Sequence, residues 1–204
     1  MEINVLPLGD IGANCYMIQS ETAAIVIDAG YESNYVTDFL LKNQDKERMI
    51  LLTHCHFDHI GGADDLRQKT NTKIGIGEYD APSLLDNSIN LSGNFSVPLK
   101  PFKADILFKN NQTFTVGDLE FKVLHTPGHT TGGVCYLFGD VLFSGDTLFH
   151  QSIGRTDFPG GDFKTLENSI KRLYSLKDDT IVLSGHGDAT SIENEKKFNP
   201  FVRG

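Results

Sequence analysis

Residues 51–64, LLTHCHFDHIGGAD, place three histidines and an aspartate within six positions: His54, His56, Asp58 and His59. The apolar run RMILLT, residues 48–53, leads straight into them and reads as a strand covered on both faces. In extended chain, residues i and i+2 share a face, so His54 and His56 aim both imidazoles at one point. Asp58 and His59 follow where the chain turns toward a helix in GGADDLRQKT, and the turn redirects them to a second, neighbouring point. Burying four such groups unpartnered is costly. Imidazole and carboxylate together suit zinc, and also iron or manganese. Cys55 lies between two of these ligands; alternation points it away, as a buried and inert thiol.

Four ligands do not close two sites. Three further candidates share one context, each after an apolar strand and beside glycine: His129 in VLHTPGHT, Asp146 in VLFSGDT and His186 in TIVLSGHG. A rigid sheet positions ligands at strand ends, and glycine lets backbone crowd the site. A carboxylate has two oxygens, which suits Asp146 as a bridge between two cations. His125, before Thr126-Pro127, reads as structural. Asp28 ends the buried strand AAIVID and either caps a turn or accepts a hydrogen bond that fixes a ligand histidine.

Outward from these motifs, short strands alternate with helices. INVLPL, NCYMIQS, AAIVID and TKIGIG read as strands. NYVTDFLLKN carries Val36, Phe39 and Leu40 at helical spacing behind Ser33 as N-cap. Residues 86–105 are rich in Asn, Ser, Pro and Gly and read as a long loop, the kind that is usually functional or mobile. Two hairpins turn at Gly117-Asp118 and Gly139-Asp140. DFKTLENSIKRLYSL is a helix capped by Asp162, TIVLSG the last strand, and SIENEKKF the last helix. With 204 residues and no repeat or linker, one domain over residues 1–204 is the economical reading.

A net charge of −9 argues against nucleic-acid and anionic-membrane partners. No apolar stretch approaches a membrane span, and MEINVLPLGD lacks the basic start and cleavage site of a signal peptide. Three widely spaced cysteines, Cys15, Cys55 and Cys135, suggest free thiols in a reducing cytoplasm.

THCHFDH, TPGHT, SGDTLF, GRTDFPGGD, SGHG and NEKKFNPF occur in this order along essentially the whole chain. In this the sequence resembles the metallo-β-lactamase-fold hydrolases, and most closely their small bacterial glyoxalase II-like (hydroxyacylglutathione hydrolase-like) branch. The resemblance implies an α/β (α+β) fold, a four-layer αββα sandwich with metals at one edge. It implies two divalent metal ions, zinc first, with iron or manganese as alternatives. His54, His56 and His129 would hold one, Asp58, His59 and His186 the other, and Asp146 would bridge. Two cations sharing a water lower its pKa enough to supply hydroxide at neutral pH, and Asp58 would help to orient it. The expected activity is hydrolysis of a small-molecule thioester such as a hydroxyacyl-glutathione, whose thiolate leaves with little acid assistance.

Arg155, in GRTDFPGG, reads as a cation for a substrate carboxylate or as a loop tie to Asp157 or Asp162. His150, where relatives carry a small residue, is a second candidate substrate contact. Full-length glyoxalase II proteins add a C-terminal helical domain that supplies much of the glutathione site. This chain ends 18 residues after His186, so a weak grip on glutathione is expected, resting on Lys100, Lys103 and Arg155. The alternative within the fold is a persulfide dioxygenase with one iron on His54, His129 and Asp146. A non-catalytic scaffold is a further alternative, and such proteins usually lose ligands. The absent export signal counts against a β-lactamase role, and the acidic charge counts against a nuclease.

Overall fold

A computed structural model describes residues 1–97 and 99–204; Pro98, within the expected 86–105 loop, lies outside the described residues. The first sheet contains β1 (Glu2–Leu8), β2 (Ala13–Gln19), β3 (Ala23–Ile27), β4 (Glu47–Leu52), β5 (Lys73–Gly77) and β6 (Ile106–Phe108), in sequence order. β1, β2 and β3 pair antiparallel, and β3 to β6 pair parallel. The β3–β4 step is bridged by α1 (Asn34–Lys42) and the β4–β5 step, after the short α2 (Phe57–Ile60), by α3 (Ala63–Thr70). The second sheet runs β14-β13-β10-β9-β8-β7. Its members are β7 (Thr113–Val116), β8 (Leu119–His125), β9 (Val134–Phe138), β10 (Val141–Gly145), β13 (Ile181–Ser184) and β14 (Thr190–Ser191). β10 and β13 are parallel across α4 (Phe163–Leu173), and α5 (Ile192–Phe198) follows β14.

The apolar runs of β2 to β5 show no polar alternation because both faces of the sheet are covered there, whereas β8 alternates, with Glu120 and Lys122 exposed. Along β3 and β4, odd and even residues go to different cores. Val26 and Ile50 face outward onto Val36 and Leu40 of α1 and Leu66 of α3. Ile27 and Leu51 face inward, onto Phe121, Tyr136 and Phe143 of the second sheet. On the far side, Leu142 and Val182 meet Leu166 and Ile170 of α4 and Ile192 of α5. Helices, sheet, sheet, helices: this is the expected αββα sandwich.

The local signals behave as their chemistry dictates. The Ser33 and Asp162 side chains accept from the backbone N–H groups of Val36 and Thr165 at the starts of α1 and α4. Val116 pairs with Leu119 and Phe138 with Val141, so both hairpins close on two residues, with Gly117 and Gly139 at φ +55° and +56°. Positive φ at the first central position is what glycine supplies in such turns.

The structure also adds elements. β14 follows TIVLSG, which is therefore not the last strand; it spans two residues, too few to carry a period-2 pattern. β11 (Leu148–Phe149) and β12 (Ser152–Ile153) form a miniature hairpin for the same reason invisible in sequence. A 3-10 helix occupies Ala81–Leu85, and β6 begins one residue after the long loop. All three cysteines are free and buried: Cys15 and Cys55 in the outer core of the first sheet, Cys135 in that of the second. Among the described residues, no helix is long and apolar enough to cross a membrane.

Candidate metal centre

Five strands deliver chemistry to one edge of the sandwich from their C-terminal ends. β4 runs into His54 and His56, and β3 into Asp28. The loop after β8 carries His129, β10 runs into Asp146, and β13 into His186. α2 presents Asp58 and His59 on its single turn.

The seven predicted ligands converge. His54, His56 and His129 bring ligand atoms within 4.8 Å of one another; so do Asp58, His59 and His186, and so do His54, His59 and Asp146. His56 Nδ1 lies 2.8 Å from His129 Nε2, and His59 Nε2 lies 3.3 Å from His186 Nε2. Asp146 reaches toward both triads. Its Oδ2 is 3.5 Å from His129 Nε2 and 3.6 Å from His186 Nε2, and its Oδ1 is 3.4 Å from His59 Nε2. Asp58 Oδ2 stands 3.3 Å from His186 Nε2.

In His54, His59 and His129 the other ring nitrogen is occupied, which fixes which one is offered to the site. His59 Nδ1 donates to Asp28 Oδ2 at 2.9 Å. His129 Nδ1 donates to the Arg155 carbonyl at 2.7 Å. His54 Nδ1 meets Thr53 Oγ1 at 3.0 Å, and that hydroxyl donates to Asp28 Oδ2 at 2.7 Å. Of the two readings of Asp28, the acceptor is the one its side chain fits: with φ at +57°, it accepts the Thr53 N–H and orients His59 directly and His54 through Thr53. Partners of this kind set the tautomer and orientation of metal-binding histidines.

His54 Nε2 and Asp146 Oδ1 are buried without a hydrogen-bond partner. Orphaned acceptors among five imidazoles and two carboxylates fit divalent cations, which would supply the missing partners. Electrostatics divides the cluster. Burial, and then the neighbouring imidazoles, hold His54 and His56 well below the ordinary histidine range. Burial also opposes charge on His59, but Asp146, Asp58 and Asp28 outweigh it and lift the imidazole to about 10. His186 is raised too; burial is outweighed by Asp58 and Asp146. Burial would raise Asp58, yet His59 and His186 hold it far below the usual carboxylate range.

Close packing keeps the centre in place. A Cβ on Gly185 would lie 2.1 Å from Asp146 Oδ1 and 2.8 Å from His59 Cε1, so only glycine fits beside the Asp146 carboxylate. Asp80, 1% exposed, has no counterpart among the sequence-predicted site residues. It accepts from the Cys55 N–H at 3.0 Å, the Thr130 hydroxyl at 2.7 Å and the Gly132 N–H at 2.6 Å, tying the His54–His56 segment to the His129 loop.

A cavity of about 420 Å³ opens above the centre, floored by His56, Asp58, His129, Asp146 and His186. Arg155 reaches its wall, but as a tie: its Nε and Nη2 bind Asp157 at 3.0 and 2.7 Å. His150 is exposed on the β11–β12 turn and is not among the lining residues; nor are Lys100 and Lys103, both exposed. His125 stays away from the centre, with Nε2 3.1 Å from the Thr131 carbonyl and its ring against Tyr79. Cys55 turns from the centre, and burial raises its thiol well above the ordinary range.

Comparison with known proteins gives a consistent set. The family profile "Metallo-beta-lactamase superfamily" matches residues 8–186. The probable metallo-hydrolase YqgX of Bacillus subtilis is 38% identical over 98% of this chain and 96% of its own length. The hydroxyacylglutathione hydrolase GloC of Haemophilus influenzae is 36% identical over 99% of this chain and 98% of its own. Among solved structures, the BLEG-1 B3 metallo-beta-lactamase covers 100% of both chains at TM-score 0.91 and 38% identity. TTHA1623 in a di-iron-bound form covers 98% of this chain and 100% of its own, at TM-score 0.86 and 32% identity. ETHE1 from Myxococcus xanthus covers 98% and 84%, at TM-score 0.76 and 30% identity.

Proposed function

The chain belongs to the metallo-beta-lactamase superfamily, and from that premise we propose that it is a metal-dependent thioester hydrolase of the glyoxalase II-like branch. The observation that carries the reading is the convergence of two ligand triads on one carboxylate, Asp146, at the floor of a ligand-sized cavity. The likeness to GloC supports the thioester, and the di-iron neighbour supports two metal positions. On this reading His54, His56 and His129 hold one divalent ion, Asp58, His59 and His186 the other, and Asp146 both. Zinc leads by its affinity for imidazole and carboxylate, with iron or manganese as alternatives.

When bound, the ions supply polarisation of the scissile carbonyl and a lowered pKa for the attacking water. The protein does the rest. Asp58, kept ionised, accepts a hydrogen bond from the attacking water and orients it. Asp28 and the Arg155 carbonyl hold the imidazoles in one tautomer, so nothing reorganises during reaction. The apolar walls limit competing water. Water's oxygen adds to the carbonyl carbon, the C–S bond breaks, and the thiolate takes a proton, leaving an acid and a thiol. Three free, buried cysteines support a reducing cytoplasmic setting, and we treat residues 1–204 as one domain acting on a small molecule.

One second reading has an observation behind it. His54, His129 and Asp146, the set for a mononuclear-iron persulfide dioxygenase, are all in place, with His129 3.5 Å from Asp146. Loss of ligands would mark a scaffold, and all seven are present. The test measures metal content, thiol release from S-lactoylglutathione and oxygen uptake with a persulfide on one preparation. A β-lactam is added because one structural neighbour is a B3 metallo-beta-lactamase. Two metals per chain with thioester cleavage is the expected result. Full activity at one metal or less removes the two-metal assignment, and oxygen uptake without thiol release selects the dioxygenase.

A further inference from the structure

We infer that the cavity above the metal centre selects thioesters whose acyl group is apolar and uncharged, rather than the small hydroxyacyl group of a glutathione conjugate. The inference rests on the thioesterase reading and narrows its substrate class.

The walls are apolar where they meet the floor. Phe158 packs edge-on against His56, ring centroids 5.8 Å apart, and Phe149 against His186 at 6.2 Å. On the far wall Phe57, the residue after His56, stacks on Phe95 of the 86–105 segment at 5.1 Å and 29°. Ile11, Leu91 and Ile153 add further apolar lining. A group attached to a carbonyl at this floor therefore lies among aromatic faces.

Charge points the same way. Outside the proposed ligands, Arg155 is the one charged side chain among the described lining residues. It is spent: Asp157 takes it bidentately, and its guanidinium lies 4.1 Å from the Phe158 ring centroid. Phe158 and the Arg155–Asp157 pair thus present a neutral surface. A glutathione conjugate brings two carboxylates and an ammonium and finds no free cation on this wall. An apolar acyl group needs none, and each methylene taken from water is worth a factor of about four in binding.

The experiment uses N-acetylcysteamine thioesters, with acetyl, lactoyl, hexanoyl and phenylacetyl groups, beside S-lactoylglutathione and the metal-loaded protein. Hexanoyl and phenylacetyl should exceed acetyl and lactoyl by about thirtyfold in kcat/KM, short of full burial of the chain at that per-methylene factor. Phe95 is exposed, so Phe95→Ser spares the core; it should lower the hexanoyl-to-acetyl ratio about fivefold, the worth of one lost apolar contact face. Phe149→Ser should act in the same direction. A second measurement needs no turnover: by calorimetry, metal-free protein should bind a hexyl thioether of N-acetylcysteamine at least about tenfold more tightly than the ethyl one. Flat kinetics along the series, or S-lactoylglutathione as the best substrate, overturns the inference and leaves the thioesterase reading standing. Cleavage of no thioester overturns both.

Discussion

Asp146 is where the two triads meet, so substitution there separates ligand from bystander. Asp146→Asn exchanges a charged oxygen pair for a neutral amide, and metal content should fall at both positions, with turnover down by at least about a hundredfold. His125→Gln should leave metal content near the native value, because that ring bonds the Thr131 carbonyl away from the centre. Equal losses in both variants, read by elemental analysis, would show that the division of histidines is wrong. The triads should also differ in acid. In the metal-free protein His59 holds its proton up to about 10, and His186 is raised as well, whereas His54 and His56 are neutral at pH 7. Metal must displace the protons held on His59 and His186, whereas His54 and His56 have none to displace, so affinity at Asp58/His59/His186 falls about tenfold per pH unit for each proton displaced as pH drops below those raised values. Metal per chain, measured from pH 8 to 5.5, should step from two toward one before reaching zero. Simultaneous loss would refute the distinction. At this scale the candidate ligands were legible because their identities are their chemistry: four are packed into residues 54–59, and the other three each follow a strand beside glycine. Asp80 was not, since its partners lie 25, 50 and 52 residues away and no local pattern announces them. The aromatic lining escaped for the same reason: phenylalanines in a loop and in a two-residue strand read as ordinary apolar residues.

Helix α1 tests how far periodicity alone sets an element's orientation. Leu40 is fully buried against the first sheet while its neighbour Leu41 is 42% exposed. Leu40→Ala should cost about 2–5 kcal/mol, combining lost transfer energy with a residual cavity. Leu41→Ala should stay within about 0.5 kcal/mol. Urea unfolding of the two variants checks this, and comparable losses would mean that the helix is rotated from the described phase. The long strands and helices were legible because each carries enough residues for a 2.0 or 3.6 period, a cap or a glycine turn. The two-residue strands β11, β12 and β14 carry none of these and exist through their neighbours. The 86–105 segment was read as a functional or mobile loop for its length and composition, and it contributes Leu91 and Phe95 to the cavity wall.

Across the molecule, the sandwich was legible through the resemblance carried by the ordered motifs; the RMILLT run, apolar without alternation, fits cover on both faces but does not by itself select this fold. How the two sheets bring five strand ends to one edge was not legible, because that register is set by side chains meeting between layers. The same edge concentrates five imidazoles and two carboxylates, so metal uptake and global stability should be linked. Metal at a hundred times its Kd adds about 2.7 kcal/mol. For a chain of 204 residues that corresponds to a Tm about 5–10 °C higher than in chelated protein. Scanning calorimetry before and after reloading would measure it, and identical curves would show that the cluster takes up no metal. The buried cysteines have a separate consequence. Burial lifts all three thiols, Cys135 to about 11, so the folded protein should be nearly silent to alkylating reagents. Each thiol becomes reactive only when its surroundings part. Cys55 lies in the segment that carries His54 and His56, its thiol turned into the outer core, whereas Cys15 and Cys135 sit farther from the site in the outer layers of opposite sheets. Their labelling rates therefore form a built-in set of clocks for local opening, one at the metal edge and one in each half of the sandwich.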